Sequence, residues 1–419
     1  MQKEGGGNMR VAIVGAALSA NKGASAMAES VIAALPDRLG PCEFDLLTTY
    51  PAEDSVLVDD PAVRVVSLTP PRLAALDVPL ALLAGTLRRL RMPYRWLLRT
   101  EALRALDRAD VVVDVAGISF VDGRGLPTLT YNTLMTGLPL LLGRPVVKTA
   151  QAMGPFERPL NRLCARLVLR RLARVCSRGA GTRAHLDSLG LDNVVDAADL
   201  AFALPERAEL PPEVTAPLGE AIDQDFVLVM PSQVVAGLCE KAGIAYVEAM
   251  ATVVADVHGK LGLPVVIVPH SYRAGQGRSR MNDGPVTREL AAACQGDGVH
   301  LLDLDLRPQV LRTLVDRASL LLTSRFHGMV SGMATATPTV VVGWSHKYRE
   351  VMSVFGVERF GLSHEALATP TTVVETVVDA WNGRDAARAT MTEARPQVTA
   401  AAARNFDAIA DVLAESDRS

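Results

Sequence analysis

The feature that most limits how this chain can fold is a series of short, unbroken aliphatic runs separated by stretches of helical character. "RVAIVGA" is followed by the helical "GASAMAESVIAALPDRL", and then come "CEFDLLTT", "VRVVSL", "ADVVVDVAG", "RPVVKTAQ", "ARVCSRG" and "NVVDAADLAF". Runs that are apolar on both faces belong to parallel strands covered by helices on either side. Strand and crossover helix alternating within one sheet predict a doubly wound, Rossmann-like lobe. The pattern stops at "LPERAELPPEVTAPLGEAIDQD", where proline and acidic residues crowd together and neither period persists, so residues 205–225 read as a linker. It restarts with "FVLVMPSQ", a helix from Tyr246 to Leu261, "PVVIVPHSY", the helix "GPVTRELAAACQ", "VHLLDLD", the helix "RPQVLRTLVDRA", "SLLLTS" and "PTVVVGW". The expected architecture is α/β: one Rossmann-like lobe over residues 1–204, a second over 226–384, and a helical tail over 385–419 whose last turns cap the other lobe. Two such lobes predict a ligand cleft between them, facing the carboxyl ends of the strands.

Charge and composition exclude several function classes. The 43 basic residues nearly cancel against 46 acidic ones, which is no footprint for a nucleic-acid partner. Five cysteines, Cys42, Cys164, Cys176, Cys239 and Cys294, are scattered among apolar neighbours without a CxxC pair, as buried thiols of a reducing compartment would be. The polar start "MQKEGGGN" gives no secretory leader, and the longest apolar helical candidates, near Val78–Leu87 and Leu134–Leu142, fall short of the ~20 residues that a bilayer span needs. The expectation is a cytoplasmic protein without a transmembrane segment. Oligomeric state is left open.

Candidate chemistry sits in the loops that follow the strands. After the first strand, "SANKGASAMAES" places Asn21 and Lys22 ahead of a helix, where backbone amides suit an anion or a sugar hydroxyl. It is not GxGxxG, so a dinucleotide fingerprint is not supported. "DVAGISFVDGRG" carries Asp114, Ser119 and Asp122 among three glycines; an aspartate here either forms a turn or takes the proton of a hydroxyl nucleophile. Gln151 ends the next strand. Arg178 stands directly after "ARVCS", where a guanidinium is a credible phosphate fork. In the second half, His270 ends a strand and is followed by a polar, glycine-bearing loop with Arg273, Arg278, Arg280 and Asp283, readable as a flap or as a solvated basic loop. Arg325, His327 and Gly328 follow "LLLTS", and His346 and Lys347 follow "PTVVVGW". Each alone is as easily structural as functional. Their joint position at strand ends is what marks them.

Taken in order, "NKGASAM", "DVAGISFVDGRG", "KTAQAMGPF", "SRGAGTRAHLDSLGL", "DAADLAFAL", "VPHSY" and "SRFHGMVSGMATATPTVVVGWSHKY" resemble the polysaccharide pyruvyl transferase family over most of the chain. The resemblance implies a glycosyltransferase-B-like fold and transfer of pyruvyl from phosphoenolpyruvate to sugar hydroxyls as a ketal. It also implies that Arg178, Arg325 and His327 belong to the donor site. Phosphoenolpyruvate carries a phosphate and a carboxylate, so two arginine forks and a histidine acid suit it. On this reading His327 is the acid or a phosphate-binding imidazolium, and Asp114 or Asp122 deprotonates the acceptor. His270, Gly328, His346 and Lys347 line the donor side, and Asn21, Lys22, Ser119 and Gln151 the acceptor side. No metal or other cofactor is called for. The acceptor is a sugar or glycan, with lipid- and nucleotide-linked forms both open. Gly179 and "GISF" depart from the common pattern and point to a distinct branch. Two alternatives remain: a nucleotide-sugar-dependent glycosyltransferase, and a non-catalytic glycan- or protein-binding member of the same fold.

Overall fold

The computed structural model of the protein describes residues 8–205, 209–273, 275–294, 296, 298–343 and 346–416. The chain divides into two compact units, Met1–Ser19 with Ala24–Leu204 and Thr399–Ser419, and Ala20–Gly23 with Pro205–Val398. Each is a Rossmann-like lobe built on its own parallel sheet.

The first unit holds β1 (Met9–Val14), β2 (Cys42–Thr48), β3 (Val63–Ser67), β4 (Val111–Asp114), β5 (Val146–Gln151), β6 (Arg174–Arg178) and β7 (Val194–Ala197), in the order β3-β2-β1-β4-β5-β6-β7. All pairings are parallel; Val11, for example, lies level with Phe44 on β2 and with Val111 on β4. Every residue of β4 and β5 is buried, as continuous aliphatic runs require when helices cover both faces. One side of the core is filled by Leu103, Leu106, Val112, Leu138 and Leu169.

The second unit repeats the plan with β8 (Val227–Met230), β9 (Val265–Ile267), β10 (Val299–Leu301), β11 (Leu320–Thr323), β12 (Thr339–Gly343) and β13 (Gly361–Ser363), ordered β10-β9-β8-β11-β12-β13. In both sheets the order turns about the first strand of the unit: β1 lies between β2 and β4, and β8 between β9 and β11. Loops leaving the two strands at such a switch point diverge and open a crevice beyond their carboxyl ends.

One expectation changes. The stretch expected to be a linker contains the helix Pro212–Leu218, and Val214, Leu218 and Ile222 at i, i+4 and i+8 are buried in the core of the second unit. Its prolines disguised a helical period. The expected tail is one helix, Arg384–Ser416, whose residues up to Val398 belong to the second unit and whose remainder belongs to the first. Among the described residues no helix is long and apolar enough to cross a membrane.

Candidate active site

In the second unit three strand ends meet at one carboxylate. Asp283 is fully buried, and its Oδ1 accepts from the backbone amide of Gln233, beyond β8, at 2.9 Å. Its Oδ2 accepts from the amide of Ser271, beyond β9, at 2.9 Å. The guanidinium of Arg325, beyond β11, donates to Oδ1 and forms an ion pair with it. Arg325 itself precedes the helix Phe326–Thr335, and its amide donates to Thr323 Oγ1 at 3.0 Å. Its side chain is 12% exposed. The loop that supplies Asp283 is fastened rather than loose: Asn282 Nδ2 donates to the carbonyls of Gln276 at 2.8 Å and Gly277 at 3.1 Å, and its Oδ1 accepts from the Arg273 amide at 3.0 Å.

His270 stands beside this fork, and His327 and Lys22 bring further positive charge to it. Burial first, and then the charges of Arg325, His327 and Lys22, hold the His270 imidazole well below its ordinary range, so the ring is neutral at pH 7. His270 Nδ1, Ser271 Oγ and Arg325 Nε are buried and have no hydrogen-bond partner among the described residues. Natural proteins rarely leave such atoms unpaired, and a cluster of them marks a place where a ligand completes the bonding. The His327 ring stands edge-on to Phe326, with centroids 5.3 Å apart. A Cβ on Gly23 would lie 2.0 Å from His327 Nδ1, so only glycine lets this turn approach the ring.

Asn21 and Lys22, expected on the acceptor side of the first lobe, belong instead to the second unit. The Asn21 side chain accepts from the Gly23 amide at 3.0 Å and so stabilises the start of the helix Lys22–Leu39. Lys22 is buried and paired with Asp305 at 2.5 Å. Gly328, expected against the donor, is needed for packing, because a Cβ there would meet Thr323 Oγ1 at 2.5 Å and Met230 Sδ at 3.1 Å. His346 opens the helix His346–Val354, and its side chain lies outside the described residues; Lys347 follows, half-buried.

The first unit places its expected residues in a different kind of network. Asp114 and Lys148 are level with each other across β4 and β5, both fully buried, and paired at 2.5 Å. The Asp114 carboxylate also accepts from Thr136 Oγ1 at 2.7 Å, Gln151 Nε2 at 2.9 Å and the Ala116 amide at 3.2 Å. Burial alone would raise this carboxyl, but the Lys148 charge and the bonds from Lys148, Thr136 and Gln151 outweigh it and hold the group ionised below its usual range. A general base has to reach the proton it takes. Asp114 has no exposed surface, so it is a structural anion here. Gln151 passes the restraint on: its Oε1 accepts from Ser119 Oγ at 2.8 Å, and Ser119 is buried too. Asp122 is half-buried and already hydrogen-bonded. It accepts from the amides of Glu157 at 2.7 Å and Arg158 at 3.2 Å and from Asn161 Nδ2 at 2.8 Å, which ties its loop to the start of the helix Pro159–Leu169. Arg178, at the end of β6, is paired with buried Asp199 at 3.0 Å and donates to the Gly117 carbonyl at 3.4 Å.

Ser271, Gln233 and Lys148 were not singled out from the sequence, and Asp283 reads there only as one polar residue of a loop. Lys148 had a signal, a lone lysine inside the aliphatic strand "RPVVKTAQ", which can be buried only with an anion beside it. Among the described residues no group of three or more His, Cys, Asp or Glu is arranged to hold a metal ion.

The family model for polysaccharide pyruvyl transferase matches residues 21–346. A search of curated proteins returns no match. Among solved structures, UDP-GlcNAc 2-epimerase from Neisseria meningitidis, bound to UDP-GlcNAc, is similar with a TM-score of 0.58 and 10% identity, covering 96% of this chain and 99% of its own. The α,α-trehalose 6-phosphate synthase from Burkholderia multivorans is similar with a TM-score of 0.53 and 12% identity, covering 98% and 99%. At these identities the likeness concerns the fold alone, which is glycosyltransferase-B-like.

Proposed function

The chain belongs to the polysaccharide pyruvyl transferase family, and from that premise we propose that it moves pyruvyl from phosphoenolpyruvate to two hydroxyls of a sugar or glycan, forming a ketal and releasing phosphate. The observation that carries this reading is the cationic cluster at the carboxyl ends of β8, β9 and β11, where buried Arg325 Nε and His270 Nδ1 have no partner among the described residues. A small dianion satisfies both the charge and the unmatched donor.

Arg325, aimed by Asp283, holds the donor's phosphate or carboxylate. In the first half-reaction an acceptor hydroxyl oxygen bonds to the central carbon of phosphoenolpyruvate, while the methylene carbon takes a proton and becomes methyl. His327 supplies that proton, and neutral His270 receives the one leaving the hydroxyl. In the second, the other hydroxyl oxygen replaces phosphate at the same carbon, and hydrogen phosphate leaves with its proton. The cations around Arg325 stabilise the charge on the departing phosphate. Asp114 and Asp122 have no proton-transfer part in this scheme. Arg178, for which the family resemblance implies a donor contact, is held by Asp199 in the first unit, and the scheme uses no anion contact from it.

The test is calorimetric titration with phosphoenolpyruvate, UDP and GDP on wild type and Arg325→Ala. The proposal expects phosphoenolpyruvate to bind wild type and to bind the variant roughly 10- to 100-fold more weakly, the loss of one charge-assisted contact. Tight UDP or GDP binding with no response to phosphoenolpyruvate would replace it with a nucleotide-sugar reaction.

A further inference from the structure

The segment 72–99 of the first unit buries Leu73, Leu97 and Leu98 in the core but leaves a run of bulky apolar side chains outside. In its central helix, Val78–Arg89, the buried face carries Ala81, Ala84 and Gly85. A Cβ on Gly85 would lie 2.1 Å from the Leu141 carbonyl oxygen, so the helix Leu126–Leu141 is approached as closely as backbone allows. Small residues are therefore required at this contact; Leu80 and Leu87 pack partly against the core, while Leu76, Leu82, Leu83 and, at 64% exposure, Leu90 face solvent. Met92 and Trp96, the latter 60% exposed, continue the surface past the helix end, and the indole is steadied by Nε1 donating to the Pro93 carbonyl at 3.2 Å. An ordinary surface helix turns its leucines inward.

Charge is as uneven as hydrophobicity. The same 28 residues hold six arginines, Arg72, Arg88, Arg89, Arg91, Arg95 and Arg99, against one aspartate, in a chain whose net charge is −3. The aspartate, Asp77, is buried and accepts from Thr100 Oγ1 at 2.6 Å, so it offers nothing to the surface. Arg89, Arg91, Arg95 and Arg99 are exposed. A second helix, Pro159–Leu169, repeats the pattern: Leu160, Leu163 and Leu167 are exposed at i, i+3 and i+7, and Arg162, Arg166 and Arg170 are exposed beside them. The helix Leu126–Leu141 touches both.

We infer that this face of the first unit docks on an anionic lipid surface, with the leucines and Trp96 in the headgroup and acyl boundary and the arginines against the lipid phosphates. Exposed leucine, an interfacial tryptophan and clustered arginine are the three ingredients of a helix that lies in the membrane plane. A second copy of this chain fits poorly, because a two-fold contact would set the arginine cluster against itself. The inference is independent of the donor proposed above.

The full chain is sedimented with vesicles of equal parts phosphatidylcholine and phosphatidylglycerol, and with phosphatidylcholine alone. Wild type is expected to pellet with the anionic vesicles and only weakly with the neutral ones, with Trp96 fluorescence shifting to the blue. Leu82→Ser/Leu83→Ser/Trp96→Ala and, separately, Arg89→Glu/Arg91→Glu/Arg95→Glu should each bind the anionic vesicles at least about tenfold more weakly. All six side chains are exposed, so thermal unfolding should stay at the wild-type midpoint. Wild type remaining in the supernatant, or variants pelleting as wild type does, would overturn the inference. So would a lipid-free dimer, seen by sedimentation velocity, that the leucine substitutions dissolve, because the face would then belong to a second copy.

Discussion

Asp283 and Arg325 are 42 residues apart in the chain, yet one fixes the direction of the other. That separation explains what a reader of the sequence sees and misses. Arg325, His327 and His270 are visible because each follows an aliphatic run, and position at a strand end is a local property. Asp283 shows there only as a polar loop residue, because its role is set by amides on two other loops. The same holds for Asp114, which reads locally as an aspartate at the end of a valine run and acquires its meaning from Lys148 on the neighbouring strand. His270 yields a prediction at this scale. Its folded pKa lies well below the ordinary value of about 6.5 that it has when unfolded, so the unfolded chain takes up the proton first. Its contribution to stability is complete above about pH 6.5 and is lost as the pH falls from there toward the folded pKa. Urea midpoints measured at a series of pH values should fall on acidification in wild type, and His270→Gln should flatten that slope. An unchanged slope would remove His270 as its cause.

At the scale of elements, the spacing of glycines in "SRFHGMVSGM" records a packing constraint. Gly328 and Gly332 lie one helical turn apart and both face the sheet. A Cβ on Gly332 would sit 2.2 Å from Thr339 Oγ1 and 3.1 Å from Leu321 Cδ2. Gly332→Ala is expected to destabilise by about 1–3 kcal/mol in urea unfolding, the usual effect of overfilling a tight core. Gly237, in the helix Gln233–Lys241, has open space around its Cβ position, and Gly237→Ala should stabilise by about 0.4–1 kcal/mol. Equal effects at the two sites would show that helix propensity rather than packing decides. Strands were legible wherever aliphatic residues ran unbroken. β13 was not, because Gly361–Ser363 contains a single aliphatic residue, Leu362.

For the molecule as a whole, the alanine- and arginine-rich C-terminal stretch reads in the sequence as a helical tail whose last turns cap the other lobe. Asn405 shows how that end is held in the first unit. It is fully buried in the first unit, accepting from the Ala150 amide on β5 at 2.8 Å and donating to the carbonyls of Ala198 and Ala402 at 2.9 Å each. Phe406, Ile409, Val412 and Leu413 are buried around it. Asn405→Ala strands a buried amide and a buried carbonyl and is expected to cost about 1–3 kcal/mol. Urea unfolding followed by hydrogen exchange at β5 would detect it, and an undisturbed β5 would show that the helix is dispensable.

Because residues 399–416 complete the core around β5, the half of the protein made first is finished last. A ribosome that has delivered residues 8–204 has released every strand of that sheet but none of the helix that closes it. The second unit, whose residues from Pro205 to Val398 emerge in one stretch, has most of its sequence in hand before the first can be sealed. The first unit's core around β5 therefore closes only after the residues of the second unit have been made.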